Sequence, residues 1–591
     1  MSDSLSRREW LTLVGAAGTA GAVPSLPAPK PSPQPISAAP VLALDSTSDV
    51  VLPPPGRSFQ KFSFGFPEPS IEVAGFRFGF LVFTRENCYG LDLRLMSVES
   101  SADGATLTAT GLVWAGGQER SSGNVVVRFR TSEGEIRWEI SAEMDQPIKS
   151  VTTVIRGLPH GRISGGGGPA FNPGQDELLF GYPFRAGDLF GDNAAAGLGT
   201  PLLSIVRDET TCWSLASLDD RVRPKRFYLQ PTADGYRTEA VFEAEGWTDR
   251  RRIEVPAWRL WRSDSLDAAA TAHYAHLERA YGLTSFATRP DAPKWLAEIA
   301  LVLSLHGAHF TGYLFNDFGR MLEILRWVAE RIPPRRVLVF LPAWDGRYYW
   351  NYPLYQADPR MGGDTGFRHL LEEGRRLGFR FMPMFGANCA NRRHPEFAKF
   401  ADAATSRIDG DRFDLTWVDW DNDRHQDGWL SYMNLGVVSW RNWLTERIAE
   451  VIDRYEVDAY FLDIAGGWVN NPQADMHQGI RRLIAELRAR HPAVLACGEF
   501  HYDALLAVMP LFHVYSPRAA RYVRAFSHLS HPAPGRGSSG VHESGFGGYD
   551  TATHGVGPGP IPTITVVDDT FTQHRDEMAA IITRARELAR L

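Results

Sequence analysis

The sequence predicts a two-part chain, a large β-sandwich followed by a closed (β/α)8 TIM barrel, and three observations carry that prediction. From Leu42 to Trp261 short alternating apolar runs are separated by Gly, Asn and Asp, with almost no helical period. From Lys294 onward strand-like runs alternate with amphipathic helical patterns, as right-handed crossovers between parallel strands require. About eight strand candidates fall within residues 294–591, which fits a closed barrel better than an open sheet.

The chain opens on MSDSLSRREWLTLVGAAGTAGAVP. Paired Arg7 and Arg8, a modest Gly/Ala-rich apolar stretch and the A-x-A pattern Ala20-Gly21-Ala22 resemble a twin-arginine export signal over residues 1–22. The expectation is a secreted, periplasmic or cell-surface protein. Residues 23–41 are Pro-rich and read as an extended spacer. No later stretch has about 18 uninterrupted apolar residues, so no integral membrane segment is expected.

Residues 42–265 form the expected sandwich. NVVVRFRTSEGEIRWEISAEM reads as a hairpin turned at Glu133-Gly134, and the tetraglycine Gly165 to Gly168 lacks the Gly-Lys-Ser/Thr of a phosphate loop, so it reads as a mobile loop. Residues 266–293 read as a helical linker. The barrel then runs through EIALVLSLHG, RRVLVFLPAWDG, FRFMPMFGAN, VDAYFLDIAGG, AVLACGEFHYD, LFHVYSP and IPTITVVDD, with helical runs between them. The seventh strand has no clean apolar run in VRAFSHLSHPAPGRGSSGVHES.

In such a barrel the chemistry belongs at the C-terminal ends of the strands, where the loops converge. The fourth strand ends on Asp463 and the fifth on Glu499, each straight after an apolar run. Adjacent strands lie about 4.8 Å apart, so the two carboxyls can approach across one pocket. Retaining glycosidases need carboxyls about 5–5.5 Å apart, one attacking the anomeric carbon and one protonating the leaving oxygen. A neighbouring negative charge disfavours a second ionisation, which assigns Asp463 as the ionised nucleophile and Glu499 as the acid. The same pair could serve a lyase or isomerase as acid and base. A barrel that binds carbohydrate without catalysis is the remaining alternative.

Other strand ends supply groups suited to hydroxyl-rich substrates: His306, Trp344, Asp345, Asn388, Asn391, Arg392, Tyr515, Asp568, and His531 or His542 after the uncertain seventh strand, with His542 preferred. The acidic cluster Asp419, Asp421 and Asp423 fails as a calcium loop, because Arg424 stands at its sixth position and Leu430 at its twelfth. Four cysteines without CxxC spacing give neither a zinc site nor a disulfide scaffold. No metal and no cofactor is expected. The net charge of −7, without a basic block, argues against nucleic acid as a partner. The expected partner is a carbohydrate, and the sequence leaves the oligomeric state open.

The stretches YPLYQADPRMGGDTGFRHLLEEGRRLGFRFMPMFGANCAN and MNLGVVSWRNWLTERIAEVIDRYEVDAYFLDIAGG resemble glycoside hydrolases that join a galactose-mutarotase-like sandwich to a catalytic (β/α)8 barrel. The chain is also similar to a glycosidase-like family for which resemblance supplies no substrate. The first resemblance implies an α-glycosidic bond. It departs from the α-amylase-like clan at Phe461, where an Arg two positions before the nucleophile is usual. It departs from the α-galactosidase-like clan after strand six, where LFHVYSPR offers no Asp as the acid.

Overall fold

The computed structural model describes residues 41–45, 68–183, 197–309, 311–347, 350–406, 408, 410, 412, 430–513, 516–526, 542–544 and 559–591. The expected export signal, all but the last residue of the spacer, the cluster Asp419, Asp421 and Asp423, and both Tyr515 and His531 lie outside these residues. The chain divides into two compact units, Met1–Tyr281 and Gly282–Leu591.

The first unit is built from two antiparallel sheets, of ten and eight strands among the described residues. The alternating runs read from the sequence supply the inner faces. In Asn124–Ser132 and Glu135–Glu143 the residues Val125, Val127, Phe129, Ile136, Trp138 and Ile140 are buried while their neighbours alternate outward. Ser132 pairs with Glu135 across Glu133-Gly134, and Gly134 takes the positive φ of 70° that this two-residue turn needs. Phe78 of the ten-stranded sheet meets Phe129 and Trp138 of the other edge-on, with ring centroids 5.1 and 5.2 Å apart. The Trp138 indole N–H donates to Thr153 Oγ1 at 3.0 Å, so its one polar atom is satisfied inside the sandwich.

The tetraglycine forms a hydrogen-bonded turn. Gly166 and Gly167 have φ of 62° and 77°, Gly168 N–H donates to Gly165 O at 3.1 Å, and Ser164 Oγ donates to Gly168 O at 2.6 Å. A Cβ on Gly167 would lie 3.1 Å from Ala270 Cβ, so the absence of a side chain lets the helix Leu266–Tyr281 lie on the turn. That helix, from the stretch read as a linker, packs Ala269 and Ala270 against Leu202, Cys212 and Trp261 of this unit. A cleft of about 250 Å³ lies on the same unit, lined by Arg223, Phe242, Glu245 and Arg250 among others. Several of its charges are paired: Arg223 reaches Asp219 at 2.7 Å, Arg221 reaches Glu245 at 3.0 Å, and Arg252 reaches Glu254 at 2.8 Å.

The second unit is a barrel of eight parallel strands: β1 (Leu301–Leu305), β2 (Val337–Leu341), β3 (Arg380–Gly386), β4 (Ala459–Asp463), β5 (Leu495–Glu499), β6 (Leu511–His513), β7 (Arg524–Phe526) and β8 (Thr563–Val566). Neighbours pair in chain order, and β8 returns to β1. The ring closes between β7 and the start of β8, where Phe526 bridges Ile561 and Ile561 N–H donates to Ala525 O at 2.7 Å. Strand seven is therefore the three residues at the head of the stretch that lacked an apolar run. His542 lies between β7 and β8 in the chain, on an antiparallel strand, His542–Ser544, paired to β8 with His542 opposite Thr565.

Helices α1 (Phe318–Ala329), α2 (Gly363–Leu377), α3 (Val438–Tyr455) and α4 (Met476–Arg490) follow β1 to β4, and α5 (Arg575–Leu588) closes the chain. Asp317 and Asp475 cap α1 and α4 by accepting the N–H of Arg320 at 2.7 Å and of Gln478 at 3.1 Å. Strands β5 and β6 are followed by short 3-10 turns, Asp503–Ala507 and Ala519–Arg521. Inside the barrel Phe340 of β2 contacts Phe461 of β4 at 4.8 Å and Phe526 of β7 at 5.8 Å. Rings from opposite walls thus meet, and the interior is a packed core with an aromatic floor under the strand ends. Phe461, where the resemblance to the α-amylase-like clan leads one to look for Arg, is part of that floor. No helix among the described residues is long and apolar enough to cross a membrane.

Candidate active site

Three consecutive strands end on a polar residue: β4 on Asp463, β5 on Glu499 and β6 on His513. Phe461 pairs with Cys497 and Leu462 with Gly498, so the next step puts Asp463 beside Glu499; Glu499 in turn pairs with His513. Laterally paired residues project to one face of a sheet, and so do residues two apart along a strand. Asp463 and Glu499 therefore share the inner face with Phe461. Both are nearly enclosed, at 2% and 7% exposure.

The backbone beyond each carboxylate turns sharply. Ile464 and Phe500, the residues directly after Asp463 and Glu499, have φ of 59° and 57°. For a β-branched isoleucine this region costs on the order of 1–3 kcal/mol. The turn brings Ile464 N–H to Glu499 Oε2 at 2.9 Å and Gly466 N–H to Glu499 O at 2.8 Å. A Cβ on Gly466 would lie 2.6 Å from the Phe500 carbonyl carbon, so glycine is what allows the two loops to close on each other. Asn388 ties the same turn from the other side, donating from Nδ2 to Ile464 O at 2.8 Å and Gly467 O at 3.3 Å.

Around Asp463 stand groups that the sequence did not single out. Gly386 of β3 pairs with Asp463, and a Cβ there would meet Tyr352 Cδ2 at 2.3 Å; its absence lets the Tyr352 ring cover the strand end. Burial, then the charges of Asp463 and Asp345, hold the Tyr352 phenol well above its ordinary pKa. Burial, then the charges of Asp463 and Glu499, do the same to the Cys389 thiol. Cys389 is thus a neutral thiol beside both carboxylates. His513 had a signal in the sequence, since LFH ends an apolar run just as FLD and CGE do. Tyr352 comes from a loop and Cys389 from the short strand Cys389–Asn391, paired to Leu430–Tyr432, and neither had one.

Asp345, after β2, is 1% exposed, and neither carboxyl oxygen has a hydrogen bond of good geometry. Burial pushes its pKa up to about 8; the backbone N–H groups of Asp345 and Tyr355 pull down against this, and the charge of Asp358 adds to the rise. The folded chain therefore holds a proton that the unfolded chain releases near pH 4. With fewer protons bound in the unfolded state, stability falls as pH rises from about 4 to about 8 and is level above. Asp345→Asn removes that loss. Thermal melts at pH 5 and pH 8 should show the variant gaining on the wild type with pH, by on the order of a few kcal/mol; parallel curves would contradict a buried protonated Asp345.

The other predicted site residues divide. His306 is buried at the end of β1, edge-on to Phe315 at 5.2 Å. Asp568, with φ of 39°, follows β8 and accepts from Tyr313 OH at 2.7 Å. Both belong to the loops at the C-terminal end of the barrel. Trp344 does not serve as a sugar platform: its ring is fully buried, stacked on Phe367 of α2 at 4.8 Å, and its indole N–H donates to Met384 O at 3.0 Å. Ala343 before it has φ of 55°, which turns the chain so that the indole faces the helix layer. Asn391 is occupied with backbone, donating to Trp350 O at 2.7 Å and accepting from Arg393 N–H at 2.8 Å. Arg392 Nε donates to Ser431 Oγ at 2.8 Å, and burial, with Arg412 nearby, lowers its pKa to about 10. His542 is placed on its strand by register alone. Among the described residues no group of three or more His, Cys, Asp or Glu is placed to hold a metal ion.

No protein-family model matches the chain. No curated protein matches it in sequence either. Solved structures do share its architecture. A quadruple mutant of the α-N-acetylgalactosaminidase NagBb from Bifidobacterium bifidum is 12% identical, with 90% of this chain and 92% of that chain covered and a TM-score of 0.61. The complex of the same enzyme with GalNAc is 13% identical over 76% of this chain and 77% of that one, with a TM-score of 0.57. At this identity the likeness establishes the fold: a sheet-rich N-terminal unit followed by an eight-stranded parallel barrel.

Proposed function

We propose that the barrel unit is a retaining glycoside hydrolase that cleaves an α-linked sugar from an oligo- or polysaccharide, with Asp463 as nucleophile and Glu499 as general acid and base. The observation that carries this reading is the register of β4 and β5, which sets the two carboxylates side by side on one inner face. Strands about 4.8 Å apart favour the short carboxyl separation of retention over the roughly 6.5–9.5 Å of inversion. The α-linkage rests on the architecture shared with NagBb, an α-N-acetylgalactosaminidase.

In the first step an Asp463 oxygen attacks the anomeric carbon, the glycosidic C–O bond breaks, and its electron pair leaves on an oxygen that takes the Glu499 proton. In the second, water attacks the same carbon, gives a proton to the Glu499 carboxylate, and the bond to Asp463 breaks. The left-handed turn at Ile464 keeps Glu499 aimed, since Ile464 N–H occupies Oε2. The aromatic floor beneath keeps bulk water out and strengthens the electrostatics of the pair.

Aryl α-N-acetylgalactosaminides and α-galactosides are the first substrates to try. NMR of the fresh product should show the α-anomer before mutarotation; a β-anomer would remove the nucleophile from Asp463. Sugar binding without hydrolysis of any glycoside would favour the non-catalytic reading. Export belongs to the same proposal: Arg7-Arg8 and the A-x-A pattern support a twin-arginine route, and replacing both arginines by lysine should hold the protein in the cytoplasm.

A further inference from the structure

His513 ends β6 as Glu499 ends β5, and the two are register partners. Its Nδ1 lies 3.8 Å from Glu499 Oε1, with both side chains buried. The other carboxyl oxygen, Oε2, is taken by Ile464 N–H. The imidazole is bounded by rings: Phe526 at 5.8 Å, Phe461 at 6.3 Å and Phe500 at 6.4 Å. These surroundings fix its plane while Nδ1 faces the carboxyl.

We propose that His513 is a positioning residue for Glu499, holding Oε1 so that the carboxyl presents its proton to the leaving oxygen and its charge to the incoming water. This rests on the reading of Glu499 as acid and base. A carboxyl held at one oxygen still rotates about its last torsion; one held at both does not. Oε1 has two lone-pair directions, so it can meet Nδ1 on one and the pocket on the other. A separation of 3.8 Å is longer than a hydrogen bond, and such contacts commonly shorten once substrate is bound. Among the described residues, the titratable groups near this pair include Asp463 from β4, Cys497 from β5 itself, Cys389 from the short strand Cys389–Asn391, and Tyr352 beyond Asp463; β7 contributes the apolar Phe526. His513 acts through Glu499 and does not itself touch the reacting atoms.

The test is leaving-group dependence. On the full-length protein, kcat and KM are measured with aryl glycosides spanning good and poor leaving groups, for wild type, His513→Phe, His513→Asn and Glu499→Gln. Phe fits the ring-lined site without a polar atom, and Asn returns an N–H near the position of Nδ1. His513→Phe should lose about tenfold in kcat on poor leaving groups and much less on good ones, with KM nearly unchanged. His513→Asn should recover most of the lost kcat on poor leaving groups. If Glu499→Gln steepens the leaving-group dependence while neither His513 variant alters it, His513 only fills space and the proposal is overturned. If Glu499→Gln itself leaves the dependence flat, the reading of Glu499 has failed, and the role of His513 falls with it.

Discussion

Asp463→Asn is expected to abolish turnover, by at least about a thousandfold in kcat, while the melting temperature holds or rises. The amide matches the carboxylate in shape but cannot form the glycosyl ester, so the first step loses its nucleophile. Folding should be spared because the amide keeps the shape of the side chain, and the Asp463 backbone carbonyl, which the substitution leaves in place, accepts Ala387 N–H at 3.0 Å. A carboxylate enclosed to this degree over an aromatic floor is held at a cost in desolvation, and the neutral amide relieves it. Rate and melting temperature should therefore move apart. Equal loss of both would make Asp463 a structural residue, and an unchanged rate would end its assignment.

Glu499→Ala is the second large effect. Without the proton donor, substrates with poor leaving groups should lose about a hundredfold or more, whereas activated aryl glycosides still pass the first step and stall at the second. Azide, a nucleophile that needs no general base, should then restore turnover and give an α-glycosyl azide. No rescue, with the loss equal across leaving groups, would contradict the acid and base role. Ile464 sharpens this prediction. Its left-handed φ of 59° is retained although the side chain is β-branched, and what the turn achieves is an N–H directed at Glu499. Strain kept at a strand end and spent on orienting one carboxyl is what a catalytic site asks of its backbone.

How far the sequence foretold this site depends on the length of the strand behind each residue. AYFLD and LACGE are five-residue buried strands with the polar residue last, and a run of that length shows where a strand stops. Strands β6 and β7 have three residues each, too few for a period. The sequence therefore points to Tyr515 after strand six rather than to His513, and shows no apolar run in the stretch whose head is β7. Trp344 failed for a different reason: a residue past the end of a strand has no fixed side, and the turn at Ala343 sent its ring to the helices. Tyr352 and Cys389 reach Asp463 only because Gly386 lacks a side chain, a tertiary fit that no local pattern encodes. Pairing of the sandwich strands was legible wherever alternation was clean, as in the hairpin at Glu133-Gly134.

The central claim is that Asp463 becomes covalently bonded to sugar. The most direct measurement is intact-protein mass, then peptide mapping, after incubation with a fluorinated slow substrate of a sugar the protein hydrolyses. The account predicts one added glycosyl group on the peptide that carries Asp463, absent in Asp463→Asn. Turnover without an adduct and with inverted product, or an adduct on any other residue, would contradict it.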